Sequence, residues 1–143
     1  MPKRSVLQFL YYSAEEIRYK NIPMEDGMNK FQLHPHYERK LIDLGDNKYD
    51  FLVSVEIAPS DDDPAPFELY VAITGHFALH ETKDAPLDPD LKESILRKNT
   101  AAILFPFLRS IVSAVTVNAN IPALLLPILN FAEETPEEQA ASV

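Results

Sequence analysis

The chain has no cysteine, and only 3 of its 143 residues are glycine. The lack of cysteine excludes a disulfide scaffold, a thiol nucleophile and cysteine-ligated zinc or iron–sulfur sites. Gly27, Gly45 and Gly75 lie far apart, so neither the dinucleotide-binding nor the P-loop glycine motif occurs. The sequence therefore indicates neither a redox-active thiol protein nor a nucleotide-binding enzyme.

Basic residues are also scarce, with 13 Lys and Arg against 22 Asp and Glu and a formal net charge of −9. This charge disfavours nucleic acid and anionic membranes as partners, because both attract cations. The N-terminus has no apolar signal-peptide core, and we expect no apolar stretch near the roughly 20 residues of a membrane span. The sequence thus predicts a cytoplasmic protein without membrane insertion, whose partners are basic segments or apolar surfaces.

Catalytic and metal-binding motifs are missing as well. Their spacing lets His34 share a strand face with His36, and His76 with His80, but two imidazoles are too few for a stable zinc site. Neither the HExxH motif nor the GxSxG elbow occurs. The acidic run at 61–63 lacks the ligand order of a calcium loop and is interpreted as a solvated loop. We therefore expect no metal, no cofactor and no enzyme activity.

The first two thirds of the chain have the pattern of strands. A bent strand is predicted over about 5–20 with a bulge at 13–14, and a second strand over 37–44. Apolar residues then alternate with polar ones over 49–57 and again over 67–79, which places the odd positions in a core. Such alternation is typical of an antiparallel sheet with one buried face.

The last third changes to a helical period. Asp88 is the predicted N-cap and Pro89 the first helical residue. Pro106 either kinks this helix or marks its start, and 118–120 end it. Strands followed by helices indicate an α+β fold, with helices packed on one face of an antiparallel sheet. The apolar stripe of the helix contains Ile103, Leu104, Phe107, Leu108, Ile111, Val112 and Val115.

Two apolar segments have no regular pattern, namely the loop 23–36 and the proline-interrupted run 121–129. They either pack on each other or frame a hydrophobic groove, where flexible methionine side chains accept varied apolar partners. The candidate groove residues are Met24, Met28, Phe31, Leu33, Ile121, Leu124, Leu126 and Phe131.

The segments 103–109 and 121–131 resemble the SecB family of protein-export chaperones. The matching positions are Leu104, Phe105, Pro106, Phe107, Arg109, Ser113, Pro122, Leu124, Leu126, Asn130 and Phe131. The resemblance implies a four-stranded antiparallel sheet, a dimer of dimers and an ATP-independent holdase that binds unfolded preproteins. It also implies that loop 23–36 is the family's crossover connection, which lines the peptide groove together with 121–131.

In that family, acidic residues on the open sheet face bind the export motor SecA. Glu16 fits the first of these positions, whereas Lys20 and Tyr70 stand where further acids are expected. A short acidic tail over about 132–143 is expected to replace part of this missing negative charge. The candidate SecA-docking residues are Glu16, Glu68, Glu133, Glu134, Glu137 and Glu138. The alternative is a SecB-like module that is dedicated to one partner, for example an antitoxin or a regulator, without delivery to SecA.

The apolar surface of the predicted helix extends beyond the stripe that one sheet can cover. We therefore expect residues 1–143 to form a single domain that associates with copies of itself as a dimer or tetramer. The predicted interface residues are Leu104, Phe107, Leu108, Ile111 and Val112.

Overall fold

The computed structural model describes residues 6–23, 32–81, 88–120 and 141–142. A four-stranded antiparallel sheet with strand order β1-β5-β4-β3 is crossed on one face by a long helix, which confirms the predicted α+β class. The strands of this sheet are β1 (Leu7–Asn21), β3 (His36–Gly45), β4 (Lys48–Ile57) and β5 (Phe67–Leu79). The helices are α1 (Pro89–Ser94) and α2 (Thr100–Asn118), and two short strands, β2 (Gln32–Leu33) and β6 (Ala141–Ser142), form a separate ladder.

The two central strands confirm the predicted alternation. Every odd position of β4 and β5 is buried beneath the helix, because β-strand side chains point alternately to opposite faces. Tyr49 to Ile57 on β4 and Phe67 to Leu79 on β5 supply most of this core. The sheet therefore has an inner face under the helix and an outer face on the opposite side.

Strand β1 changes its inward-facing positions twice. Its register on β5 shifts between Phe9 and Tyr11 and again between Ala14 and Glu16. Each bulge inserts one residue, so the residues opposite the inner face of β5 change from odd to even and back to odd numbers. The sequence predicts the second bulge, near 13–14, but not the first.

The hairpin between β3 and β4 turns at Asp46 and Asn47, both with positive φ, as a two-residue type I′ turn requires. Gly45 precedes them at φ +81, and its N–H bonds the Asp43 carboxylate at 2.9 Å. Gly, Asp and Asn are the residues that tight turns favour, so the sequence Gly45-Asp46-Asn47 by itself predicts this turn.

The long helix begins where the sequence predicts, with Asp88 as N-cap and Pro89 as its first residue. A π-helical turn over Ile95–Asn99 joins α1 to α2. Pro106 lies inside α2, so the helix does not start at this proline. Asn120, at φ +64, follows the helix end and confirms the predicted termination.

Gly75 allows α2 to lie close to the sheet. A Cβ at this position would lie 2.6 Å from a terminal carbon of Leu104 and 2.7 Å from the ring of Phe77. Both side chains are buried, so neither can withdraw into solvent. The helix therefore depends on a glycine at the centre of β5.

The continuous helix Pro89–Asn118 is long and apolar enough, by length and composition, to cross a membrane. The expectation that no apolar stretch approaches this length is therefore wrong. The core helix of a soluble protein passes the same test, and 39% of the most apolar window of this helix is buried within the fold. Its contacts with β4 and β5 are those of a core helix.

Part of the predicted subunit interface is wrong. Leu104, Leu108 and Val112 are fully buried within the single chain, because they lie on the stripe of α2 that packs on the sheet. They have no surface left to contact another subunit. Phe107 and Ile111 are only partly buried, and for them the interface remains a prediction.

The end of the predicted acidic tail lies beside the crossover region. Ala141 pairs with Leu33 and Ser142 with Gln32 in an antiparallel ladder between β6 and β2. The sequence does not predict this strand, because two residues are too few to show a period. The remainder of the tail predicted over 132–143, at 132–140 and 143, lies outside the described residues.

Candidate functional site

The outer face of the sheet is the first candidate surface. Because neighbouring strands are in register, its residues form cross-strand rows of side chains. Small residues occupy the middle rows, where Ser54, Ala72 and Thr74 are buried between larger neighbours. Charged and aromatic residues stand at both ends. The outer face is thus a shallow, mostly polar surface.

A cluster at one end of the outer face joins three strands. The His76 ring bonds the Asp50 carboxylate at 2.7 Å and the Ser13 hydroxyl at 3.3 Å, and it lies 4.3 Å from the ring of Tyr11. Because Ser13 and Tyr11 belong to β1, Asp50 to β4 and His76 to β5, these contacts hold the edge strand to the sheet.

The same three polar residues have the contact order of a Ser–His–Asp triad. Acyl transfer also requires N–H donors aimed at the developing oxyanion. Strand β5 is paired along both of its edges, so the ladders occupy its N–H groups beside His76. The contacts of this cluster link β1 to β4 and β5 and so contribute to the stability of the sheet.

The other end of the outer face carries charges of both signs. Arg18 bonds Glu16 at 2.8 Å, and its guanidinium lies 4.9 Å from the centre of the Tyr70 ring. Lys20 is the register partner of Glu68. An open cleft of about 490 Å³ runs between Arg18 and Lys20 on β1 and the acidic residues Glu56 and Glu68 on the neighbouring strands.

This arrangement changes the interpretation of the predicted SecA-docking residues. Both members of the set that the structure describes, Glu16 and Glu68, are exposed, yet each stands beside a cation on β1. Glu16 is therefore ion-paired within the chain, and Glu68 has Lys20 as its neighbour across the strands. The remaining members lie outside the described residues, namely Glu133, Glu134, Glu137 and Glu138.

The second candidate surface is an apolar groove of about 500 Å³ between the inner face of β1 and the last turns of α2. Ile17 and Tyr19 form its wall on β1. Ile111, Ala114 and Val115 form its wall on the helix, and Asn118 and Ala119 close its end. Ile17 is 48% exposed, an unusual value for an isoleucine on the inner face of a sheet. The sequence signal for this groove is the width of the apolar stripe on α2.

Of the residues predicted to line the peptide groove, the structure describes only Leu33. Leu33 is 1% exposed and belongs to the hydrophobic core, so it does not line an open groove, and that prediction is wrong for this residue. The other predicted groove residues lie outside the described part of the chain, namely Met24, Met28, Phe31, Ile121, Leu124, Leu126 and Phe131.

Four residues after Leu33, near the start of β3, a buried tyrosine has an unsatisfied hydroxyl. Tyr37 is 4% exposed and packs edge-on against Phe105 of α2, with ring centres 5.9 Å apart. Its hydroxyl has no hydrogen-bond partner. Burial raises the pKa of this hydroxyl far above its ordinary value, and the charge of Arg109 opposes part of that rise. Sequence patterning identifies the ring as core but gives no signal for the missing bond.

The histidines contact carboxylate or amide side chains rather than one another. His34 bonds Asp63 at 2.9 Å, and His36 lies 3.5 Å from Glu38. His80 bonds Gln8 instead of joining His76. Within the ranges that the structure describes, no group of three His, Asp or Glu side chains is placed to hold a metal ion.

The architecture defines the class of the protein. It is an α+β protein in which one helix covers the inner face of a four-stranded antiparallel sheet. The chain belongs to the SecB family, since the family model "Preprotein translocase subunit SecB" matches residues 12–140. This is not an enzyme family.

Three proteins are similar to the chain in sequence. An uncharacterised protein of Methanocaldococcus jannaschii is 27% identical over 146 residues, covering 96% of this chain and 91% of that protein. The export protein SecB of Sphingopyxis alaskensis is 30% identical over 88 residues, 62% of this chain and 48% of that protein. SecB of Paramagnetospirillum magneticum is 31% identical over 98 residues, which cover 68% of this chain and 59% of that protein. The chain thus matches about half to three fifths of these two SecB proteins.

A solved structure has the same fold. The SecB-like chaperone of Mycobacterium tuberculosis, in complex with a ChAD peptide from an antitoxin, superposes with a TM-score of 0.66. The two chains are 15% identical, and the match covers 86% of this chain and 90% of that one. At this identity the likeness establishes the fold alone.

Proposed function

We propose that the protein is an ATP-independent holdase of the cytoplasm, which binds unfolded or extended polypeptides and keeps them from folding or aggregating. The observation that carries this proposal is the SecB family match over residues 12–140. The four-stranded sheet with one face under a helix agrees with the fold of the SecB-like chaperone that superposes on this chain. The net charge of −9 attracts positively charged unfolded chains.

An aggregation assay tests the holdase proposal. Several unrelated proteins are diluted from denaturant with and without the chaperone, in the absence of nucleotide, and light scattering is recorded. We expect the full chain to suppress aggregation of all of them at near-stoichiometric amounts. An equally acidic folded protein serves as the control for charge alone. If no substrate stays in solution, the holdase proposal fails.

A second candidate is a module dedicated to a single partner, without delivery to SecA. It is favoured by the cations on the outer face, where Arg18 pairs with Glu16 and Lys20 stands opposite Glu68. The related fold bound to an antitoxin peptide supports the same alternative. In the aggregation assay, protection of one substrate class and no other would favour this candidate over a general holdase.

The charges on the outer face also lead us to expect a low affinity for SecA. A basic tail gains little from Glu16 and Glu68, because one exposed ion pair is worth only about 0–1 kcal/mol and these acids already face cations. We propose that SecA-tail binding is weak, salt-dependent and carried mainly by the acidic C-terminal segment. Titration of a SecA tail peptide into the full chain and into a chain ending at 132 tests this. Tight binding that survives the truncation would contradict it.

We also propose that the chain forms a dimer or tetramer, with a subunit interface that differs from the one predicted from the sequence. We place the contact between subunits at the apolar groove of Ile17, Tyr19, Ile111 and Val115. The groove is supported by exposed apolar surface, which soluble proteins usually cover with a partner. Leu104, Leu108 and Val112, by contrast, are buried inside the chain and have no exposed apolar surface.

A further inference from the structure

The open cleft at one end of the outer face has walls of opposite charge. Arg18 and Lys20 on β1 form its positive wall, and the acidic residues Glu56 on β4 and Glu68 on β5 form its negative wall. Tyr70 lies between Arg18 and Glu56, because it is the register partner of both. We call this surface the charged cleft and define it by Arg18, Lys20, Glu56, Glu68 and Tyr70.

Most of the charge in this cleft is not neutralised by the part of the chain that the structure describes. Lys20 and Glu68 are register partners, yet their side chains form no ion pair, and Glu56 forms none either. Arg18 is ion-paired with Glu16, but a guanidinium has several N–H donors, so this bond leaves others for a ligand. The charged cleft therefore keeps charge of both signs available at its surface.

A ligand of one charge sign gains little in such a cleft. A uniformly basic segment is repelled by Arg18 and Lys20, and a uniformly acidic one by Glu56 and Glu68. The net charge of −9 draws basic segments toward the molecule as a whole, but not to this cleft in particular. A ligand with both signs places an acid against the positive wall and a base against the negative wall, and so is complementary to the cleft.

The spacing of the walls fits an extended polypeptide. Arg18 and Glu56 lie two strands apart in the sheet, which is about 10 Å at the ordinary distance between strands. The polyproline II conformation is a major conformer of unfolded chains, and it presents every third side chain on the same side, about 9 Å apart. An acidic and a basic residue three positions apart therefore reach both walls at once, with the backbone between them lying over Tyr70.

We propose that the charged cleft is a docking site for an extended polypeptide segment that carries an acidic and a basic residue three positions apart. Lys20 determines the specificity, because it supplies the positive charge that no acid of the described chain pairs. This role goes beyond the proposed holdase function and does not depend on it, since it needs neither apolar client residues nor the groove between β1 and α2.

Three unstructured peptides of equal length, without large apolar residues, test the proposal. The mixed peptide carries Glu and Lys three positions apart, the basic peptide has Lys in place of each Glu, and the acidic peptide has Glu in place of each Lys. Each is titrated into the isotope-labelled full chain at low salt, and binding is followed by the NMR shifts of the backbone amides. We expect the mixed peptide to shift the amides of Lys20, Glu68 and Tyr70 most, and added salt to weaken this binding because it screens the charges.

Lys20→Glu tests the specificity. One exposed attraction is lost and one repulsion is gained, so the mixed peptide should bind about three- to tenfold more weakly and the basic peptide should now shift the amides of the cleft. Lys40→Glu is the matched control, since it changes the net charge equally at an exposed position of the same face, on β3, and should leave the affinity for the mixed peptide unchanged. Lys20→Gln removes the charge without placing a second carboxylate opposite Glu68, and it should weaken binding of the mixed peptide by a smaller factor even if Lys20→Glu does not fold.

Unchanged affinity of the mixed peptide for the Lys20 variants would overturn the inference, and so would amide shifts that lie away from the charged cleft. The aggregation assay on the same proteins separates this result from the holdase proposal, because Lys20→Gln should protect substrates as well as the parent chain does. A parent chain that suppresses aggregation but does not bind the mixed peptide would contradict the inference alone. A parent chain that binds this peptide in the cleft but suppresses no aggregation would support the inference and contradict the holdase proposal.

Discussion

At the scale of single residues, two positions carry a residue type that their surroundings do not ordinarily favour. Gly75 lacks a side chain at the centre of a strand, where an alkyl group would ordinarily be favoured. Tyr37 keeps a polar atom where apolar atoms surround it. The first exception lets the helix approach the sheet, and the second leaves a donor without a partner.

Gly75→Ala is expected to destabilise the fold. The added methyl group overlaps Leu104 and Phe77, both buried, and overpacking of this kind typically costs about 1–3 kcal/mol. Urea unfolding measures the free energy of unfolding directly. Ala78→Ser, on the outer face of the same strand, is the control and should change it little. Equal stability of Gly75→Ala and the parent would mean that α2 can move away from the sheet at no cost.

Tyr37 also predicts the behaviour of the fold in alkali. Burial raises the pKa of its hydroxyl above the ordinary value of 10.0 in the folded state only. Above about pH 10 the unfolded chain therefore loses this proton while the folded chain keeps it, and the free energy of unfolding falls as pH rises. Urea unfolding between pH 8 and about 11 should show a steeper fall for the parent than for Tyr37→Phe. Parallel curves for the two proteins would contradict this assignment.

At the scale of elements, β1 is the least conventional part of the sheet. It is 15 residues long, lies at an edge and changes its inward face at two bulges. Bulges and charged residues are devices that keep an open edge from pairing with other chains. The His76 cluster compensates for this irregularity by tying Ser13 and Tyr11 to the central strands.

His76→Ala should loosen β1 selectively. It removes the bonds to Asp50 and Ser13 and the contact with Tyr11, while the core beneath the sheet is left intact. Hydrogen exchange should become faster in the segment around 11–14 and stay unchanged in α2. His80→Ala, which removes only an exposed bond to Gln8, is the control. A uniform increase across all elements would indicate global destabilisation instead.

At the scale of the whole molecule, the apolar groove between β1 and α2 decides whether the chain works alone. Its lining includes Ile17, which is half exposed in the single chain, and Ile111 and Val115, which are only partly buried. Such a surface favours association, because burying apolar area is the main driving force for assembly.

Ile111→Asp tests this association. A charge within the groove should shift a dimer or tetramer toward smaller species in light scattering at micromolar concentration, since a buried unpaired carboxylate is costly. Ser110→Asp adds the same charge on the exposed side of α2 and should leave the assembly unchanged. A parent chain that is already monomeric would refute the proposed subunit contact.

The sequence by itself determined the features that depend on local pattern. The alternation in β4 and β5, the turn at 45–47 and the helix start at Asp88 follow from periods and turn chemistry that neighbouring residues carry. The SecB family was recognised from the resemblance of the motif residues in 103–109 and 121–131.

Only the tertiary structure decided what depends on which residues meet across the sheet. The helix lies over Gly75, and this position decides which stripe of α2 is buried in the core. Leu104 belongs to that buried stripe, so its prediction as an interface residue was wrong. The first bulge in β1 and the position of Lys20 opposite Glu68 depend on strand register, which is fixed by contacts between distant segments. The unsatisfied hydroxyl of Tyr37 is likewise a property of its packed surroundings, and no pattern of residue types along the chain encodes it.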